Sequence, residues 1–188
     1  MSELRIYPEE RGDVPTVISE PREIARRLAE IDVVFERWEA SQELDADATH
    51  DEIIEAYRED VDRLMQRYGF KSLDVISIHP EHPRRRELRD KLLHEHTHAE
   101  SEMRFFVDGE ALFYIRKNGR VFGLLCGRGD LVSVPANTAH WFDMGDQPSL
   151  KMIRLFTDDG GLPPYFTGNR ISERFPRLEQ ALNHESVE

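Results

Sequence analysis

Eight histidines occur in this sequence, and three of them crowd into LLHEHTHAESEMRFF, at positions 94, 96 and 98. His96, His98 and Glu102 lie at spacings of two and four, so in an extended chain all three face one side. If the chain closes into a barrel, that side is the interior. Two imidazoles and a carboxylate gathered inside a barrel are costly unless something binds them. A divalent first-row metal satisfies all three at once. His140, in PANTAHWF at the start of another expected strand, can close the coordination sphere from a second hairpin. His94 shares the parity of the group but sits further back. His50, His79, His82 and His184 have no comparable company.

The resulting donor set is three nitrogens and one oxygen, without thiolate. Imidazole and carboxylate suit iron, nickel, manganese or zinc, so the ligand types alone do not choose among them. Four protein ligands on an octahedral ion leave two neighbouring positions open, as a bidentate oxygen chelate requires. A closed structural zinc site leaves none. The pattern therefore favours catalysis over scaffolding.

Short strands are expected around this cluster. DVISIH (74–79) alternates, and EMRFFV, ALFYIR, RVFGLLC, DLVSVP, AHWFDM and LKMIRLF follow at regular spacing. Asn118-Gly119 joins two of them as a hairpin turn. So many short strands imply a sandwich or barrel. The first third reads as helical. Ser19-Glu20-Pro21 looks like a helix start, with Ile24, Ala25, Leu28 and Ile31 at helical spacing. Thr49 and Glu52 have the spacing of a capping box that opens one helix over 50–68, and Gly69 stops it. DVVFERWEA is an edge-strand candidate. PEHPRRRELRDKLL (80–93) ends in a short helix whose arginines read as a solvated face. The last ~25 residues read as coil plus a short tail helix.

Composition sets the outer limits. The 188 residues suit a single domain with a real core. A net charge of −12 weighs against coating a nucleic acid or docking on an anionic membrane. Cys126 is the single cysteine, so there is no intrachain disulfide. No apolar run reaches a membrane span, and MSELRIYPEERGD lacks the apolar core of a signal peptide. A reducing cytoplasm is the expected location.

His96-Thr97-His98, Glu102 and Gly109 resemble the first cupin motif, and Gly129, Pro135 and His140 approximate the second. The longer strings EHTHAESEMRFFVDG, LVSVPANTAHWFDMG and IRLFTDDGG, with FERWEA, DVISIHPEHP and YFTG, resemble the acireductone dioxygenase family of methionine salvage. The resemblance runs from about residue 20 to 176. It implies a mainly β fold, a cupin-type double-stranded β-helix (jelly-roll) barrel with N-terminal helices packed outside. It also implies one cupin domain over 1–188, with mainly helical residues 1–69, the metal-binding barrel at 70–156, and C-terminal coil and tail at 157–188. Departures are Asp90 and Asn137 at motif glycines, Met144 at an asparagine, Ser101 at an acidic position and Leu162 at a tryptophan.

Residue by residue, the resemblance implies His96, His98, Glu102 and His140 as ligands to one Fe2+ or Ni2+ per chain. Arg104 corresponds to the arginine that helps form and hold the substrate dianion. Its parity matches Glu102, and a permanent cation offsets enediolate charge. Glu95 corresponds to a position linked to metal incorporation, and Ser101 to one that relays conformational change. Arg154 is a second candidate inward cation. Phe142 shares the parity of His140 and can line the pocket, whereas Phe105 points to the outer wall. The implied reaction joins O2 to 1,2-dihydroxy-5-(methylthio)pent-1-en-3-one. The Fe form yields formate and 4-methylthio-2-oxobutanoate. The Ni form yields formate, carbon monoxide and 3-(methylthio)propanoate. The family also implies a monomer. Rival readings are another cupin oxygenase or isomerase on a small diketone or sugar, and a non-catalytic metal-binding cupin.

Overall fold

Apolar runs of strand length pair antiparallel through most of the chain, and the computed structural model describes residues 2–10, 14–158 and 163–183. In order, the elements are β1 (Glu3–Pro8), β2 (Thr16–Ile18), α1 (Pro21–Ala29), β3 (Val34–Arg37), α2 (His50–Ala56), α3 (Arg58–Tyr68), β4 (Ser72–Ile78), α4 (Arg85–Leu93) and β5 (His96–Thr97). Then follow β6 (Glu102–Lys117), β7 (Arg120–Gly127), β8 (Asp130–Val134), β9 (Ala139–Asp143), β10 (Leu150–Phe156), β11 (Tyr165–Phe166), a 3₁₀ turn (Ile171–Arg174) and α5 (Leu178–Asn183).

One ladder runs β11-β5-β9-β6-β7-β1-β2. A second runs β4-β10-β6-β8-β3, so β6 belongs to both. Its first half pairs with β8 and β10, and its second half with β7 and β9. The two strands expected at EMRFFV and ALFYIR are therefore one bent strand. The bend falls at Gly109, whose φ is 76°, and a Cβ there would lie 1.8 Å from the Ser149 carbonyl oxygen. Only glycine fits this approach. Just before it, the register against β10 slips between Lys151 and Met152, the mark of a bulge. The bulge inverts the alternation. Phe106 faces the barrel interior before it, and Ala111, Phe113 and Ile115 do so after it.

Three apolar layers result. The interior holds Phe106, Phe113, Phe122, Leu124, Val132, Phe142 and Met152. One outer wall, with Met103, Phe105, Leu131 and Ile153, is covered by Ile53, Tyr57, Val61 and Leu64 of the N-terminal helices. The opposite outer wall, with Tyr7, Leu112, Tyr114 and Trp141, is covered by Ile171, Phe175 and Leu178. The fold is thus the mainly β barrel with helices outside that the sequence implies.

The helix ends follow their signals. The Glu20 carboxylate accepts from the Arg22 and Glu23 N–H groups ahead of Pro21. Thr49 and Glu52 form a reciprocal capping box, and Gly69 ends α3 in the left-handed region at φ 73°. The single helix expected over 50–68 is two, broken at Tyr57 (φ −114°, ψ 20°). There the tyrosine ring packs edge-on against Phe105 at 5.5 Å and its hydroxyl donates to the Gln42 carbonyl at 3.3 Å. Tertiary packing has overridden the helical run. β1 goes beyond the expected strands; it pairs with β7 over its whole length. Nor is the basic run of α4 wholly solvated. Arg89 is largely buried and forks onto Asp143, with Asp146 and Glu179 as further partners. Among the described residues no helix is long and apolar enough to cross a membrane.

Candidate metal centre

The pairing of β5, β9 and β6 brings His96 opposite His140, and His140 opposite Ile115. Directly opposed residues share a face, so His96 and His140 both point into the barrel. His98 follows two residues after His96 and joins them. The ring centroids lie 5.1 Å (His96–His98), 4.5 Å (His96–His140) and 5.0 Å (His98–His140) apart. One ring nitrogen from each lies within 4.8 Å of the other two. All three residues are buried.

The tautomers follow from the hydrogen bonds. His96 Nδ1 is 2.8 Å from the His94 carbonyl, His98 Nδ1 3.1 Å from the Pro163 carbonyl, and His140 Nδ1 2.8 Å from the Thr138 carbonyl. A carbonyl only accepts, so each Nδ1 carries the proton and donates. Each Nε2 is left with a bare lone pair, the ligating form of imidazole. Burial pushes His96 down to about 4 and His140 down to about 3, and lowers His98 as well. The rings are neutral at pH 7.

Glu102, at the start of β6, stands beside the triad. Both carboxylate oxygens accept from Arg104 Nη2, at 2.9 and 3.2 Å. Burial alone would raise this carboxyl. The permanent positive charges of Arg104 and, further off, Arg154 work against it, and the group is held at about 2. One Glu102 oxygen lies 3.4 Å from His140 Nε2, and that nitrogen, buried, has no hydrogen-bond partner. Two lone pairs thus face each other in a dry interior. That contact is unfavourable unless a cation lies between them. The three imidazoles therefore fit a divalent metal, and Glu102 lies against one of them, outside the group whose donor atoms are all within 4.8 Å of one another.

Arg104 is 2% exposed, and its guanidinium lies 4.4 Å from the Phe113 ring centroid and 4.9 Å from that of Phe142. Phe142 is accordingly an interior residue beside Arg104, and Phe105 sits in the outer wall. Arg154, opposite Arg104 on β10, forks onto Asp74 at 2.8 and 2.5 Å. The buried Glu95 carboxylate accepts from Arg116 at 2.6 and 3.1 Å and from the Thr167 hydroxyl at 2.6 Å. Ser101 Oγ accepts from the Ala136 N–H at 3.2 Å. The next residue, Asn137, adopts φ 59°, and its N–H donates to the His98 carbonyl at 2.7 Å. Asparagine tolerates this left-handed geometry, so the departure from glycine is accommodated. His94 is exposed, its ring 6.3 Å from Phe166. Leu162 and His184 lie outside the described residues.

Sequence reasoning missed Phe113, Asp74, Arg116, Pro163 and Thr167. Phe113 was hidden by the bulge, since counting by twos from Glu102 puts it outside. The others contribute through pairings between remote segments, which no local pattern announces.

A β-barrel that closes on neutral imidazoles at one place and on apolar side chains elsewhere is that of a metal-binding cupin. A sequence model described as the ARD/ARD' family matches residues 3–162, and the chain belongs to that family. The acireductone dioxygenase of Methylococcus capsulatus is 53% identical over 98% of this chain and 99% of its own length. That of Aquifex aeolicus is 50% identical over 97% and 100%. Among solved structures, acireductone dioxygenase from Bacillus anthracis with a cadmium ion in its active centre superposes with a TM-score of 0.77 at 30% identity, covering 88% of this chain and 98% of that one.

Proposed function

We propose that this chain is a metal-dependent dioxygenase of methionine salvage, cleaving 1,2-dihydroxy-5-(methylthio)pent-1-en-3-one with O2. Relatives at about half identity over nearly the full length carry the name acireductone dioxygenase. His96, His98, Glu102 and His140 are the proposed ligands of one Fe2+ or Ni2+. The observation that carries the reading is the facing pair, His140 Nε2 and Glu102, beside a buried arginine with donor capacity to spare. We also read the chain as a single-domain, cytoplasmic monomer.

Bound in this cage, the metal would orient and polarise an adjacent pair of substrate oxygens. The protein's own groups do the rest. Arg104 Nε is buried without a partner. It can donate to an anionic substrate oxygen and so stabilise the dianion once the enediol protons have passed to solvent. Phe113 and Phe142 lie against the guanidinium and keep its surroundings apolar, which strengthens its attraction for an anion. Arg154, tied to Asp74, adds positive potential behind Glu102. Glu95 fixes the strand entering His96, and Ser101 braces the loop after His98 against Ala136.

The test is to strip the protein, reload aliquots with Fe(II) or Ni(II), and supply the substrate with oxygen. Iron-loaded protein should release formate and 4-methylthio-2-oxobutanoate. Nickel-loaded protein should release formate, carbon monoxide and 3-(methylthio)propanoate. No oxygen uptake in either aliquot would overturn the proposed activity, and identical products would overturn the metal-directed split.

A further inference from the structure

His98 differs from its two neighbours in what orients it. His96 and His140 donate to carbonyls two residues earlier in their own segments, those of His94 and Thr138. His98 donates to Pro163, 65 residues downstream. Its ring orientation therefore depends on how a remote segment is held.

That segment is fastened at its other end. Tyr165 and Phe166 pair with Thr97 and His96 across β11 and β5. This ladder is only two residues long and gives little hold by itself. The Thr167 N–H then donates to the Glu95 carbonyl at 3.1 Å, and the Thr167 hydroxyl to Glu95 Oε1 at 2.6 Å. Glu95 is itself fixed by Arg116, which also reaches Glu9 at 3.0 Å. Its side chain is fully buried. A hydroxyl donating to a buried carboxylate is a strong, directional bond.

We propose that Thr167 is a positioning residue for the metal site: by latching onto the Arg116-held Glu95, it seats the segment whose Pro163 carbonyl fixes the His98 ring. The proposal depends on the reading of His98 as a ligand. Losing the latch leaves His98 Nδ1 without a settled acceptor, so the ring divides between orientations and tautomers. His96 and His140 keep their own partners. Loss of a group that orients a ligating imidazole weakens metal affinity by about 10- to 100-fold.

The test uses the full chain and three variants, Thr167→Val, Thr167→Ser and His98→Ala. Valine keeps the shape and the backbone N–H but removes the hydroxyl, and serine restores it. Zinc affinity is read by chelator competition, and ring nitrogen shifts of the metal-free protein by NMR. Thr167→Val should bind zinc about 10-fold or more weakly. In the metal-free protein the His98 ring alone should lose its single-tautomer signature. Thr167→Ser should restore both. If Thr167→Val keeps the parent's affinity and the His98 tautomer, the latch is overturned. Equal movement of all three ring signals would also overturn it, since that marks general loosening. Unchanged zinc affinity in His98→Ala would instead overturn the ligand reading beneath it. The tautomer readout, which needs no metal, separates the two failures.

Discussion

Arg104 has a buried donor atom, Nε, that no protein group accepts, and its guanidinium lies over two aromatic rings. Its positive charge is not spent on folding alone. Arg104→Ala should therefore still take up metal when reloaded in excess, as elemental analysis checks, because all four proposed ligands remain even though Glu102 loses its Arg104 hydrogen bonds. Its turnover should fall by roughly 10²-fold, the scale of one lost electrostatic stabiliser. His140→Ala should do the opposite and lose its metal, since it removes one side of the facing pair at Glu102. A His140→Ala protein with full metal and activity contradicts the proposed cage. At this scale the sequence was legible where residues lie close together on one strand. His96, His98, Glu102 and Arg104 share a parity that can be counted. Phe113 could not be counted, because the bulge before Gly109 reverses the alternation. The Pro163 carbonyl could not be counted either, because backbone oxygens carry no residue signature.

β6 carries the site on one half and the hairpin to β7 on the other, with Gly109 between them. Gly109→Ala adds a left-handed penalty and a collision with Ser149, together about 3 kcal/mol or more. Chemical denaturation should show that loss, and metal affinity should fall with it because Glu102 shifts. β9 has a different anchor at its far end. Both Asp143 oxygens are engaged, with Arg89 and with the Gly145 and Leu178 N–H groups. Burial alone would raise the carboxyl, but Arg89 and the two amides hold it below its ordinary value. A carboxyl lowered by folding contributes stability that is complete above its unfolded value, about 4, and is lost as pH falls through its lowered folded value. Asp143→Asn should cost about 3 kcal/mol near pH 7 and flatten the acid limb of the stability curve. Unfolding midpoints against pH would show it, and parallel limbs for parent and variant would contradict it. The sequence hinted at none of this. The arginine run of α4 reads as exposed until Asp143, Asp146 and Glu179 are seen to converge on Arg89.

For the molecule as a whole, the proposed cage would be a cross-link among β5, β6 and β9. Anything that binds only the folded state stabilises it by mass action. Metal at 100-fold over its dissociation constant contributes about 2.7 kcal/mol. In a chain of this size that raises Tm by about 5–10 °C. Calorimetry before and after chelation should show that shift, reversed on reloading, and no shift would mean the imidazoles hold no ion. The barrel itself was readable because repeated short apolar runs with a hairpin turn leave few other folds. The outer layers were less so. β1 lies in a charged N-terminal stretch, and the segment after Pro163 packs by pairings between distant regions of the chain.

The distance from His98 to its orienting carbonyl also governs the order of manufacture. On the ribosome, the first imidazoles emerge while Pro163, 65 positions later, has yet to be added. On the proposed cage, His98 then lacks its orienting carbonyl, and full metal affinity waits until synthesis is almost complete. A donor set without thiolate then takes what the surrounding fluid supplies, within the narrow preferences of nitrogen and oxygen ligands. On the proposed cage, the occupant depends on the ions a cell supplies, and two cells translating the same message can hold differently loaded stocks of the same protein.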